Sequence, residues 1–273
     1  MTRPFRFGVV APVMTDLPTW RDKVRRIADS GYSTLLMPDV LQLPAPGPAL
    51  AVAAAAADIR VGTWVYAAPL RPPRMTAREA HTLSLLTDGR FDMGIGSGRP
   101  GMEASLAQLG LEMPSPAARL AQVAATIDAL RELDGPDRHT PVLMAAAGPR
   151  ALAMAAEKAD IVTLATGPLT PRAEAARLAA DLRARLAGHG RDAELVMNLV
   201  AVGDTLPATI EAMTGADAAT LIAADSLALL RGDTQARIDE LQRRRDEFGA
   251  SYVGVNAQFM DELAPAVAAL TGR

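Results

Sequence analysis

The stretch 59–98, IRVGTWVYAAPLRPPRMTAREAHTLSLLTDGRFDMGIGSG, decides how this chain folds. Two apolar runs, IRVGTWVYA (59–67) and RFDMGIGSG (90–98), flank a segment 74–87 with helical spacing of its apolar residues. Asp88-Gly89 marks the helix exit. The two runs are apolar along most of their length rather than alternating, as expected of strands covered on both faces. One strand, one helix and the next strand therefore form a unit with parallel pairing.

That unit recurs. Further strand-like runs are FRFGVVAP (5–12), STLLMPD (33–39), PVLMAAAG (141–148), DIVTLAT (160–166), ELVMNLVAVG (194–203) and SYVGVNAQ (251–258). Helical patterns fill 18–29, 48–57, 115–133, 149–158, 171–187, a two-part stretch 208–247, and 261–271. Eight strand–helix units in 273 residues predict an α/β fold: a closed (β/α)8 TIM barrel spanning residues 1–273 as one domain, in preference to an open doubly wound sheet.

Composition narrows the function classes. Hydrophobic residues make up 49% and charged residues 22%, enough for a large core. A net charge of −3 provides no electrostatic footprint for nucleic acid or an acidic membrane surface. The absence of cysteine excludes disulfides and thiolate chemistry. The apolar stretch near the N-terminus is too short for a signal sequence, and the Ala-rich run 45–57 is too short for a membrane span. A cytoplasmic protein acting on a small molecule is expected.

In a barrel of this kind chemistry collects at the C-terminal ends of the strands. That rule selects 12–14, 39–42, 66–74, 96–103, 146–150, 165–167, Asp204 and 256–258. His81, His139 and His189 fall elsewhere, so neither a histidine metal site nor a Ser-His-Asp relay is expected. The mouth carboxylates Asp39, Glu103 and Asp204 are too scattered to gather a metal, and none is predicted. Asp39 ends an apolar strand at the reactive end and is the candidate general base or hydrogen-bond anchor.

Two glycine elements stand out. In GIGSGRPG (94–101), Gly96 and Gly98 sit where strand four leaves the barrel, and a missing Cβ allows a flat ligand to approach the backbone. Gly96, Gly98 and Gly101 match a dinucleotide-type spacing, but Arg99-Pro100-Gly101 disfavours a tight helix start. In AAAGPRAL (145–152), Pro149 occupies a first helical position. Its helix start is either an anion site or simple strand–helix punctuation.

GTWVYAAPLRPPR (62–74), GRFDMGIGSG (89–98), VLMAAAGPRALAMAAEKADIV (142–162) and LRGDTQARIDELQRRRDEFGASYVGVN (230–256) together resemble the bacterial luciferase-like superfamily of flavin- and coenzyme F420-dependent oxidoreductases. The resemblance spans essentially the whole chain. It implies a (β/α)8 barrel, often a homodimer, that binds FMN or F420 across the strand ends. It also implies a non-prolyl cis peptide at Trp64-Val65, cofactor contacts at Asp39, Gly96, Ser97 and Gly98, a phosphate loop at Ala146, Ala147, Gly148 and Pro149, and an adjoining wall at Ala165, Thr166 and Gly167.

The departures bear on chemistry. Where relatives carry an acid–His pair after strand two, this chain has Asp39 followed by Val40. Where the sugar-phosphate dehydrogenase branch has further acids, it has Met14 and Arg99, which argues against that activity. Asp39 and Tyr66 remain as catalytic candidates. Val40, Leu41, Leu43, Trp64, Tyr66, Pro69 and Leu70 favour an apolar or aromatic substrate. Arg71, Arg74 and Arg99 could hold an anionic group. Val40, Tyr66, Arg71 and Arg99 are the substrate-binding candidates. The expected activity is F420-dependent hydride transfer, with FMN-dependent monooxygenation, or a noncatalytic cofactor-binding accessory barrel, as alternatives.

Overall fold

A computed structural model describes residues 3–13, 15–99 and 101–273. Met14 and Pro100, both part of the reading above, lie outside the described residues.

The strands are β1 (Arg6–Val10), β2 (Thr34–Met37), β3 (Arg60–Thr63), β4 (Tyr66–Ala67), β5 (Phe91–Gly96), β6 (Val142–Ala146), β7 (Ile161–Leu164), β8 (Glu194–Leu199), β9 (Ala201–Val202), β10 (Leu229–Leu230) and β11 (Ala250–Asn256). Parallel pairing runs β3-β2-β1-β11-β8-β7-β6-β5-β4, and β3 also pairs with β5. This last pairing closes a (β/α)8 barrel in which β3 and β4 share one stave.

Around it lie α1 (Leu17–Asp29), α2 (Pro46–Ala56), α3 (Pro73–Leu86), α4 (Glu103–Gln108), α5 (Pro116–Asp134), α6 (Gly148–Lys158), α7 (Arg172–Gly188), α8 (Ala208–Thr214), α9 (Ala218–Ala223), α10 (Thr234–Phe248) and α11 (Met260–Leu270). Asp16, Ser115 and Asp233 start α1, α5 and α10 by accepting backbone N–H bonds from Thr19, Ala118 and Ala236. Among the described residues no helix is long and apolar enough to cross a membrane.

Strand parity divides the interior into two layers. Phe7, Val9, Leu35, Met37, Phe91, Met93, Val142, Met144, Val253 and Val255 face outward into the core beneath the helices. Leu36, Leu143, Ile161, Val196 and Tyr252 fill the barrel itself. At its N-terminal end the Arg6 guanidinium lies 3.7 Å from the centre of the Tyr252 ring and pairs with Glu194 at 2.6 Å. Arg60 and the fully buried Asp92 pair beside it, so this end is closed by charge while the opposite end stays open.

Three expectations change. The run 59–67 is interrupted, because five residues from Gly62 to Tyr66 oppose four from Asp92 to Ile95. The extra residue is a bulge at Thr63-Trp64-Val65. The run 194–203 divides into β8 and β9, and β9 pairs with β10 inside what sequence marked as a two-part helix. Helix α4 occupies a stretch read as loop.

Candidate active site

The strand ends surround a cavity of about 790 Å³, within the size range of small-molecule sites. Asp39, Val40, Trp64, Val65, Gly96, Ser97, Gly98, Arg99, Ala147, Ala165, Thr166 and Gly167 line it. The expected site residues from five different staves are thus brought together. The Trp64-Val65 peptide in its wall is cis.

The glycines act differently from the sequence expectation. Gly96 and Gly98 do line the cavity, but protein atoms already occupy the space their missing side chains leave. A Cβ on Gly96 would stand 3.0 Å from Val65 Cγ2, and one on Gly98 would collide with Met102 Sδ. One position earlier in parity, a Cβ on Gly94 would run into the Thr63 carbonyl. The GIGSG run therefore admits the bulged Val65 and the Met102 side chain, which in turn present apolar surface to the cavity. Gly98 is held in the left-handed region at φ +84°.

Asp39 is clamped. Arg71 donates from Nε to Oδ2 at 2.9 Å and from Nη2 to Oδ1 at 3.3 Å, while Arg71 Nη1 donates to Glu79 of α3 at 3.0 Å. The Tyr66 hydroxyl donates to the other Glu79 oxygen at 2.8 Å, and the Arg71 guanidinium stacks 4.6 Å from the Tyr66 ring centre. Burial opposes the charge on Arg71, but its bonds to Asp39 and the nearby Glu79 outweigh that and raise its pKa. Burial, reinforced by Glu79, pushes the Tyr66 phenol well above its ordinary value.

Tyr66 and Arg71 are consequently placed otherwise than expected. Tyr66 is fully buried, points away from the cavity and has its hydroxyl committed to Glu79. The cause is the bulge, which reverses strand parity at Tyr66 and turns its ring to the helix layer. Arg71 faces an exterior groove between α2 and α3 and serves two carboxylates rather than an open substrate position. Ala146 also faces outward into the core, and its neighbours Ala145 and Ala147 line the cavity instead.

Gly148 and Pro149 sit one step away, in a groove of about 490 Å³ that shares Ala147, Ala165, Thr166 and Gly167 with the cavity. There the start of α6 has no side-chain cap on its backbone N–H groups. Leu41 and Leu70 line the cavity as expected, whereas Leu43 and Pro69 do not. Met102, Ser105 and Ala151 are additional lining residues. Met102 and Leu106, both buried four residues apart, carry the helical signal that would have revealed α4.

Within the cavity wall Asp39 is already paired, and Arg99 at the exposed rim has no ion-pair partner among the described residues. The arrangement offers a largely apolar chamber with one fixed carboxylate and a side groove that carries Glu174, Arg177 and Asp181. Among the described residues no group of three or more His, Cys, Asp or Glu could hold a metal ion.

Comparison with known proteins matches residues 4–251 to the family described as luciferase-like monooxygenase. Curated relatives from Mycobacterium tuberculosis and Mycobacterium bovis, phthiodiolone/phenolphthiodiolone dimycocerosates ketoreductases, are 44% identical over 78 residues. That match covers 28% of this chain and only 19% of the relatives' length. Among solved structures, an F420-dependent secondary alcohol dehydrogenase in complex with an F420–acetone adduct aligns with a TM-score of 0.75 at 14% identity, covering 97% of this chain and 99% of the other. The monooxygenase RslO1 from Streptomyces bottropensis aligns at 0.73 and 17% identity, with the same coverage of 97% and 99%. These structural likenesses concern the fold.

Proposed function

The chain belongs to the luciferase-like monooxygenase family, and from that premise we propose that it is a coenzyme F420-dependent oxidoreductase. It moves a hydride between the deazaflavin and a small apolar or aromatic substrate, a ketone or the corresponding secondary alcohol. The names of the mycobacterial ketoreductases and of the alcohol dehydrogenase support that substrate class. The observation that carries the reading is the shape of the site, an apolar chamber at the strand ends that runs past Thr166-Gly167 into a groove at an uncapped helix start.

The residues fit such a cofactor. Val65, Leu70 and Met102 give apolar surface for a flat ring, and the Gly96 backbone lies beside it. An anionic tail would lie at Ala147, Gly148 and Thr166, where the first amides of α6 are free of side-chain caps, with Arg177 of the same groove set against Glu174 and Asp181. When bound, the deazaflavin supplies the hydride chemistry. The chain holds the ring, keeps water from its face and positions Asp39. Ketone reduction puts a hydride on the carbonyl carbon and a proton on its oxygen. Asp39 passes that proton from solvent at a carboxylate oxygen, and alcohol oxidation runs the same transfers backward.

FMN-dependent monooxygenation is the second reading, and the naming of RslO1 as a monooxygenase supports the reaction type. Purified protein is mixed with F420 or FMN, and binding is followed by cofactor absorbance and fluorescence. F420 oxidation or reduction is then measured with a panel of ketones and secondary alcohols. F420 binding with turnover is expected. Preference for FMN with oxygen uptake would replace the reading, and binding without turnover on any acceptor would favour an accessory barrel. The partner we propose is a second copy of the chain, and the cytoplasm is the proposed location.

A further inference from the structure

We propose that Arg71 is a positioning residue for Asp39, with Glu79 and Tyr66 as its outer anchors. The inference rests on the F420-oxidoreductase reading for its kinetic arm only.

The geometry is directional. Asp39 enters the cavity wall from the end of the second stave, in a segment that contributes little regular structure after Met37. Its backbone alone does not fix the carboxylate. Arg71 reaches it with two donors, Nε and Nη2, which leaves little rotational freedom. A guanidinium on a flexible stem would itself wander, but the third nitrogen is tied to Glu79 and the planar face is packed on Tyr66. Glu79 is in turn set by α3 and accepts from Tyr66. A Cβ on Gly47 of α2 would collide with the Glu79 carboxylate, so α2 makes room for it. Each link therefore orients the next, from two helices on the outside to one carboxylate on the inside.

A second consequence concerns charge. The cavity-facing carboxylate is ion-paired, so the chamber admits an apolar substrate without leaving that carboxylate unpaired beside it, although its guanidinium is shared with Glu79. Val40 beside Asp39 is apolar, and Asp39 is the one carboxylate among the described residues that line the cavity. Its placement then matters more than it would in a two-residue pair. Tyr66 and Arg71 thus contribute without touching substrate, which differs from the contact roles the sequence suggested.

The test uses the intact protein and two independent readouts. The first needs no cofactor: the carboxyl carbon of Asp39 is followed by carbon NMR on aspartate-labelled protein, assigned by its loss in Asp39→Asn. The signal is expected to move in Arg71→Ala and also in Glu79→Gln, which does not touch Asp39. An unmoved signal in both variants overturns the proposal. The second readout is kinetic. Arg71→Ala is expected to lower kcat by about tenfold or more with little change in cofactor affinity, as misplacement of a reacting group does. Added guanidinium ion should restore part of that loss, whereas a general packing defect would not respond. In Asp39→Asn/Arg71→Ala the losses should not multiply, since both changes disable one unit. A selective rise in KM with kcat unchanged would instead assign Arg71 to substrate binding and overturn the proposal. Should Arg71→Ala fail to fold, Arg71→Lys and Glu79→Gln carry both readouts. Absence of turnover in wild-type protein would count against the oxidoreductase reading while the NMR arm still decides the clamp.

Discussion

Gly94 shows how single residues build this site. It is buried on β5, against the bulged Thr63-Trp64-Val65 segment, and a Cβ there would meet the Thr63 carbonyl and lie 3.1 Å from Val65 Cγ1. The Thr63 hydroxyl also donates to the Gly94 carbonyl at 2.7 Å. Gly94→Ala is expected to destabilise the fold by about 1–3 kcal/mol, the usual cost of overpacking a rigid core. It should also weaken cofactor binding by displacing Val65. Denaturant unfolding and cofactor titration check both, and a variant with unchanged affinity would detach the bulge from the site. Asp39→Asn tests the opposite feature, chemistry without packing. The amide keeps the shape but cannot pass a proton, so turnover should fall far more than cofactor affinity. Equal kinetics with wild type would remove Asp39 from the mechanism. Residue types at the mouth were legible in the sequence, but side-chain direction at Tyr66 was not, because one inserted residue reverses every later position on the strand. Ala146 was legible in principle: strict alternation from the outward Val142 and Met144 already turns it away from the barrel.

At the scale of elements, the alternation of apolar runs and helical segments read correctly as a barrel because parallel staves are buried on both faces. The irregular pieces were opaque for a different reason. Helix α4 spans only six residues without a side-chain cap, and β9 and β10 have two residues each, too few for periodicity to register. Tertiary contacts hold them instead. Arg244 of α10 is buried, and it donates to the Leu227 carbonyl at 2.8 Å and the Leu229 carbonyl at 2.9 Å, which pins β10 against the barrel. Its charge is met by Glu240, which also pairs with Arg172 of α7 at 2.9 Å. Burial opposes ionisation of Glu240, yet the bonds from Arg244 and Arg172 prevail and bring its pKa from 4.5 down to about 2. A depressed carboxylate contributes stability above its unfolded pKa and loses it as pH falls through the folded value. The contribution, at most about 3 kcal/mol from the size of that shift and smaller once solvent screens this partly exposed pair, should be complete at pH 7, decline below about 4.5 and be gone near 2. Glu240→Gln should be less stable than wild type at neutral pH and should show a shallower loss on acidification in urea unfolding. Parallel pH profiles for the two proteins would refute this account of the α7–α10 link.

For the whole molecule, the outer surface is less uniform than the barrel it covers. Helix α2 reads PGPALAVAAAA, without a charged residue, yet Pro48 and Ala55 are exposed. A helix apolar on all sides is ordinarily buried. Beside it α3 exposes Met75, Leu85 and Leu86, the last at 71%. Between the helices runs a groove of about 650 Å³ that includes Gly47, Pro48, Ala51, Met75 and Leu86. Protruding side chains and a small-residue groove on one face allow two copies to fill each other's grooves about a twofold axis, where residue i meets j and j meets i. A net charge of −3 opposes such pairing only weakly. Sedimentation is therefore expected to show a dimer. Leu86→Glu should place a carboxylate in each half of the apolar contact and weaken association by about 1–3 kcal/mol, as truncation at a well-packed contact does. Leu86 lies outside the strand-end cavity, so cofactor titration of the variant should stay close to wild type, separating loss of assembly from loss of fold. A wild-type protein that sediments as a monomer would leave this apolar face to a different partner. A Leu86→Glu dimer of undiminished affinity would move the interface away from α2 and α3.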